Sequence, residues 1–241
     1  MLALRSFLFN AVFYLNLIVF MLLGAPLFLG PRIWAIRALQ LWATTSLWWL
    51  RLIAGTAFEV RGREHIPEGP GLVAGKHQSF WETFAILPLL DDPAMVLKRE
   101  LLWVPLFGWW AVKFRMIAVD RDAGPSALKK LVARGKEAIG QGRQVVVFPE
   151  GTRRAPDAPP DYKPGAAALY LRLGVACTPF ALNSGLYWPR REALRRPGTI
   201  VIEFLPAIPA GLDRKTFEKR LIEAVEPATA ALVAEGRKTL R

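Results

Sequence analysis

Between residues 7 and 29 the chain is apolar almost without interruption, and no other stretch limits its possible folds so strongly. A helix needs about 20 apolar residues to cross the hydrocarbon of a bilayer. Roughly fifteen Leu, Ile, Phe and Val residues, at about −0.3 to −0.6 kcal/mol each, favour insertion by on the order of −5 to −9 kcal/mol, from which Asn10, Asn16 and Pro26 subtract. The run is longer than the roughly 7 to 15 residues of a secretory signal core, and no clear A-x-A site follows it. A membrane-inserted helix is therefore expected here.

The next segment, residues 33–53, places Arg37, Gln40, Thr44 and Arg51 on one helical stripe, with Trp34, Trp42, Trp48 and Trp49 among the apolar positions around it. Such a helix suits the headgroup boundary or a shallow re-entrant dip; the alternative is a core helix of a soluble domain. More arginine follows the first apolar run than precedes it, which predicts that the remainder lies on the cytoplasmic side, at a bacterial inner membrane.

The net charge of +12 calls for an anionic partner: a membrane surface, a phosphorylated substrate or nucleic acid. Nine tryptophans and 53% hydrophobic residues favour lipid, because indole rings collect at membrane interfaces. No helix-turn-helix, RRM or zinc-finger pattern supports nucleic acid. One cysteine excludes an internal disulfide, and Cys177, within an apolar run, reads as core. Two histidines and one cysteine argue against a structural zinc site.

After Gly55 short β-rich runs alternate with helical ones. Strands are predicted at 57–60, 72–75, 94–97, 116–119, 144–148, 176–182 and 199–204, several of them apolar throughout, as strands covered on both faces should be. Helices are predicted after Glu82 and over 101–112, 125–139, 164–173 and 214–235. The expected organisation is a membrane-associated pair of helices over 1–55 and an α/β domain over 56–241.

Chemistry is concentrated in Lys76-His77-Gln78-Ser79-Phe80-Trp81-Glu82-Thr83. A carboxylate on one imidazole nitrogen fixes the tautomer and leaves the other nitrogen free to accept a proton from a hydroxyl. A five-residue offset puts two side chains on different faces of a continuous helix, so pairing requires His77 in a loop and Glu82 in the first helical turn. Ser79 and Glu82 also form an S-x-x-E capping box, and on spacing alone Glu82 reads equally as a cap or as a histidine partner.

The run Phe148-Pro149-Glu150-Gly151-Thr152-Arg153 follows a predicted strand and ends in an arginine, a plausible phosphate receptor. With the His77 stretch, with Val119-Asp120-Arg121, and with Thr178-Pro179-Phe180 leading into Asn183-Ser184-Gly185, it resembles the glycerolipid acyltransferase family, whose motifs occur in this order. Tyr162-Lys163-Pro164-Gly165-Ala166, and Lys98-Arg99-Glu100-Leu101 ahead of Pro105-Leu106-Phe107-Gly108, are similar to the bacterial members that acylate 1-acylglycerol 3-phosphate. The resemblance covers residues 55–210 and departs from the family at Glu82, where an aspartate is usual.

The resemblance implies a central mixed β-sheet flanked by helices. It further implies transfer of a fatty acyl chain from acyl-CoA or acyl-ACP, as co-substrate rather than cofactor, to the sn-2 hydroxyl of 1-acylglycerol 3-phosphate, giving phosphatidic acid in phospholipid biosynthesis. His77 would be the base and Glu82 its partner. Arg121, Glu150, Gly151, Thr152 and Arg153 would hold the glycerol-phosphate head, with Lys98 adding charge and Pro179 shaping the acyl side. Acylation of another lysolipid, such as a lyso-ornithine lipid, would carry the same motifs. A non-catalytic basic membrane-surface protein is the reading from outside the enzymes.

Overall fold

The structure is a computed structural model that describes residues 1–120 and 123–240. Helix α1 (Leu2–Leu23) is the one helix long and apolar enough to cross a membrane among the described residues. It begins earlier than the apolar run and stops at Gly24, because Pro26 has no N–H to continue the ladder; a short 3₁₀ turn, Ala25–Phe28, follows. Helix α2 (Arg32–Trp49) folds back along α1 and relaxes into a π turn, Leu50–Ala54, closed by left-handed Gly55.

Seven strands follow: β1 (Thr56–Arg61), β2 (Gly71–Gly75), β3 (Pro93–Lys98), β4 (Ile117–Val119), β5 (Gln144–Val147), β6 (Cys177–Leu182) and β7 (Gly198–Phe204). They form one sheet in the order β1-β7-β6-β2-β5-β3-β4, in which β6 and β7 pair antiparallel and the other neighbours are parallel. The intervening helices are α3 (Trp81–Ala85), α4 (Phe107–Lys113), α5 (Gly124–Gly140), α6 (Pro164–Leu173), α7 (Ser184–Tyr187) and α8 (Arg214–Thr239). Every predicted strand is present within two residues of its expected ends. The helix expected over 101–112 is instead a 3₁₀ turn, Arg99–Trp103, followed by α4, because Pro105 interrupts it.

Strand alternation sorts the core onto two faces. Val73, Val146, Phe180 and Ile202 point toward α1, α2, α3 and α4, and share one apolar cluster with Phe9, Phe13, Ile36 and Leu47. Leu72, Ala74, Val145 and Cys177 point the other way, onto α5, α6 and the first half of α8. Cys177 is fully buried and that burial pushes its thiol pKa up, as a core cysteine requires.

The N-terminal helices therefore lie directly on the sheet domain. The α2 stripe expected to face headgroups is partly turned inward: Gln40 is buried and donates to the Leu90 carbonyl at 2.7 Å, and Arg37 donates to the Gln40 side chain. The opposite faces remain apolar and open, with Phe7, Leu15, Leu23, Leu41 and Trp48 each more than half exposed.

Candidate active site

Strands β2, β5, β3, β4 and β6 run in one direction, so their carboxyl ends meet along one edge of the sheet, where α/β folds place ligands. Lys76 and His77 follow β2 there. Gly75 makes the approach possible: a Cβ on it would lie 2.2 Å from the Phe180 carbonyl oxygen.

His77 lies in the loop and Glu82 in the first turn of α3, as pairing requires. His77 Nδ1 is 2.9 Å from Glu82 Oε1. The same oxygen accepts from the backbone amides of Gln78 at 2.6 Å and Ser79 at 2.7 Å, so the cap and the histidine contact coexist in one carboxylate. Glu82 Oε2 accepts from the Ser184 hydroxyl at 2.7 Å. Glu82 is fully buried, and three donors besides the imidazole offset the cost of burying its charge. The His77 side chain keeps 14% of its surface, stacks on Phe148 with ring centres 4.2 Å apart, and presents an Nε2 with no partner among the described residues.

The arginine-bearing turn is adjacent, since β5 neighbours β2 and the Arg154 amide donates to the His77 carbonyl at 2.7 Å. The Gly151 amide closes the turn on the Phe148 carbonyl, with Gly151 at φ +63°, where a side chain would be strained. Thr152 and Arg153 are partly exposed on this turn. The Arg153 guanidinium has no hydrogen bond or ion pair with any described residue, while its carbonyl accepts from Arg190 at 2.8 Å.

Other expected contacts are placed differently. The Glu150 carboxylate is buried against Lys76 Nζ, at 3.0 Å; Lys76 also meets Glu226 at 2.9 Å, and Glu226 accepts from the Tyr162 hydroxyl. Burial pushes the Glu150 carboxyl up, against the pull of Lys76. Glu150 thus ties the turn to the His77 stretch through one oxygen, while its Oε2 is buried with no hydrogen-bond partner among the described residues. Pro179 is buried within β6 opposite Ala74, on the sheet face away from Phe180. Lys98 lies two strands from His77, roughly 10 Å by sheet spacing, half exposed and paired with Glu100 at 2.8 Å. Arg121 lies outside the described residues; Asp120 before it pairs with Arg99 at 2.7 Å.

Ser184 and Lys76 have roles that spacing does not reveal. Ser184 stands 102 residues from its partner and Lys76 reaches Glu226 across 150. Apolar helix α1 touches the site too: Phe80, three residues from His77, packs edge-on against Phe13 at 6.0 Å.

A carboxylate-held imidazole, on a loop joined to the arginine-bearing turn at the carboxyl edge of a mainly parallel sheet, places the chain in the class of α/β proteins that carry their site at that edge. The family within that class follows from comparison with known proteins. The family model described as Acyltransferase matches residues 57–183, more than half of the chain, and the chain belongs to that family.

Among curated relatives, 1-acyl-sn-glycerol-3-phosphate acyltransferase of Pseudomonas aeruginosa is 42% identical over 71% of this chain and 66% of its own length. Lyso-ornithine lipid O-acyltransferase of the same organism is 30% identical over 75% of this chain and 76% of its own length. Mouse 1-acyl-sn-glycerol-3-phosphate acyltransferase alpha is 28% identical over 66% of this chain. The match spans just under two thirds of the first of these and 57% of the mouse protein. The fold is that of the crystallised 1-acyl-sn-glycerophosphate acyltransferase of Thermotoga maritima, with TM-score 0.81 over 96% of this chain and 98% of that one, at 21% identity.

Proposed function

We propose that the protein is a membrane-bound O-acyltransferase that moves a fatty acyl chain from a thioester to the sn-2 hydroxyl of 1-acylglycerol 3-phosphate, giving phosphatidic acid. The observation that carries this reading is the His77–Glu82 contact of 2.9 Å, with no partner on Nε2 among the described residues and the Arg153-bearing turn joined to the same loop through the Arg154 amide. His77 Nε2 takes the hydroxyl proton as the oxygen attacks the thioester carbonyl. A C–O bond forms, the C–S bond breaks, and the imidazolium returns its proton to the departing thiolate of coenzyme A or acyl carrier protein. Glu82 holds the imidazole and stabilises its cationic form. A positioned base contributes roughly 10²- to 10⁴-fold, and alignment of the two substrates adds up to about 7 to 11 kcal/mol.

Arg153 binds the acceptor phosphate, with Gly151 and Thr152 shaping the turn that carries it; Arg121 and Lys98 add positive charge for the same headgroup. Glu150 supports that turn from beneath through Lys76, and Pro179 acts only by setting the β6 backbone. No cofactor takes part in this scheme. Residues 1–55 form the membrane-inserted unit, and contact between Phe13 and Phe80 joins α1 to the loop that carries His77. The arginine excess after α1 supports a cytoplasmic catalytic domain at a bacterial inner membrane.

A second reading within the same chemistry is acylation of a lyso-ornithine lipid, motivated by the Pseudomonas relative that bears that name. A thiol-release assay on the purified protein tests both. With 1-acylglycerol 3-phosphate and lyso-ornithine lipid as acceptors, and acyl-CoA and acyl-ACP as donors, the first reading expects release that depends on the phosphorylated acceptor. Release with the lyso-ornithine lipid alone selects the second, and no release with any pair overturns both.

A further inference from the structure

The open apolar surface does not end with α1 and α2. Between β3 and β4 the chain presents Trp103, Val104, Trp109 and Val112 outward, with Trp103 76% and Trp109 65% exposed. Single exposed apolar residues are ordinary, but two indoles and two valines on ten residues are not. On the reading of α1 as a membrane element, we propose that this segment is a second membrane-contact element, its two indoles entering the lipid interface beside the carboxyl end of α1.

Continuity with α1 identifies lipid as the occupant. On the inner side of α4, Trp110 packs at 5.2 Å from Phe20 and 4.7 Å from Phe28, and its Nε1 donates to the Met21 carbonyl. Lys113 donates to the carbonyls of Phe28 and Gly30. The exposed indoles therefore adjoin the end of α1, where Leu23 is 77% and Leu29 95% exposed. Lys98, Arg99 and Arg115 flank the segment, and indole beside cationic side chains is the composition of a headgroup boundary.

The backbone holds these side chains out. Leu106 adopts φ +64°, ψ −56°, and the Phe107 amide donates across it to the Pro105 carbonyl at 2.7 Å, forming a γ-turn of the strained hand. A Cβ on Gly108 would lie 1.9 Å from the Leu102 carbonyl oxygen, so the segment is closed tightly on itself. Strain of this kind persists only where surrounding contacts impose it, and here it aims the indoles outward. A contact beside α1 and α2, on the segment that joins Lys98 to β4, would fix the tilt of the sheet edge against the bilayer.

Depth-dependent quenching tests this on the full chain. Trp103→Cys, Val112→Cys, Leu15→Cys and Glu223→Cys each receive an environment-sensitive fluorophore, while buried Cys177 stays unlabelled. The proteins are placed in phosphatidylethanolamine–phosphatidylglycerol vesicles with or without brominated acyl chains. The proposal expects positions 15, 103 and 112 to be quenched at least about threefold more than 223. Quenching at 15 with 103 and 112 behaving like 223 overturns the second contact and leaves the anchoring by α1 intact. Shielding at 103 and 112 that needs no lipid overturns it in favour of a protein partner, and no quenching at 15 removes the membrane reading and this inference together.

Discussion

Glu82 Oε1 sits 2.9 Å from His77 Nδ1 while it also accepts the amides of Gln78 and Ser79, so one oxygen both caps α3 and orients the imidazole. The resemblance to the glycerolipid acyltransferases leads one to expect an aspartate there. A glutamate reaches about 1.5 Å further, and its second oxygen, Oε2, accepts from the Ser184 hydroxyl.

Replacing Glu82 by Gln separates the two duties. The amide oxygen still accepts from the backbone, so the fold should persist by circular dichroism, but the negative charge that stabilises imidazolium is gone. We expect kcat to fall by roughly 10²- to 10⁴-fold. An unchanged kcat would leave Glu82 with capping alone.

Ser184→Ala removes the donor to a fully buried carboxylate oxygen. A hydrogen bond to a charged group contributes about 1.5–3 kcal/mol, and chemical denaturation should show a loss in that range. If the hydroxyl positions Glu82 for catalysis, kcat should fall while KM for both substrates stays put. Loss of stability with kcat untouched would make Ser184 structural only.

Arg153→Ala should raise KM for the phosphorylated acceptor by about tenfold or more and raise KM for the acyl thioester by less, because the guanidinium meets no partner among the described residues and the acceptor phosphate offers one. Steady-state kinetics with each substrate varied in turn measures this, and equal losses for both would contradict it.

Lys76→Met leaves Glu150 and part of Glu226 buried without a cation. Breaking a buried pair in this way costs about 3–5 kcal/mol. Adding Glu150→Gln should recover part of that cost, since burial already disfavours the Glu150 charge. A double variant no more stable than Lys76→Met alone would contradict the pairing.

Acid should weaken the attachment of α2. Burial pushes the Asp92 carboxyl up, but Arg32 and Arg143 outweigh it and hold the group below the ordinary carboxylate range. A depressed carboxylate contributes stability that is present above its unfolded pKa and is lost as pH falls through the folded one. The Tm difference between the native protein and Asp92→Asn should therefore be full at pH 6 and shrink below about pH 4. A difference independent of pH would assign Asp92 another role.

Much of this fold is legible in the sequence because period and length agree locally: β5 and β6 are short apolar runs, and α5 carries Leu128, Leu131 and Ile139 on one face. Pro164 and Gly174 bracket α6 for the same reason. Strand order is not legible, since nothing local tells β7 to pair antiparallel with β6 and parallel with β1. α8 continues through Pro227 to Thr239, because Phe217, Leu221 and Val225 before the proline and Leu232 and Val233 after it are all buried.

At the site, the His77–Glu82 contact could be anticipated from spacing because both residues lie in one short turn. The Lys76–Glu150–Glu226 cluster could not, as its members come from three distant elements. Glu150 reads as a ligand contact from its motif, yet only the fold reveals that it faces Lys76.

The most direct test is acyl transfer by His77→Ala, followed as thiol release with 1-acylglycerol 3-phosphate and an acyl thioester, alongside vesicle binding of the same variant. The account predicts a rate at least about 10²-fold below that of the native protein with vesicle binding unchanged. Retention of most of the rate would contradict it.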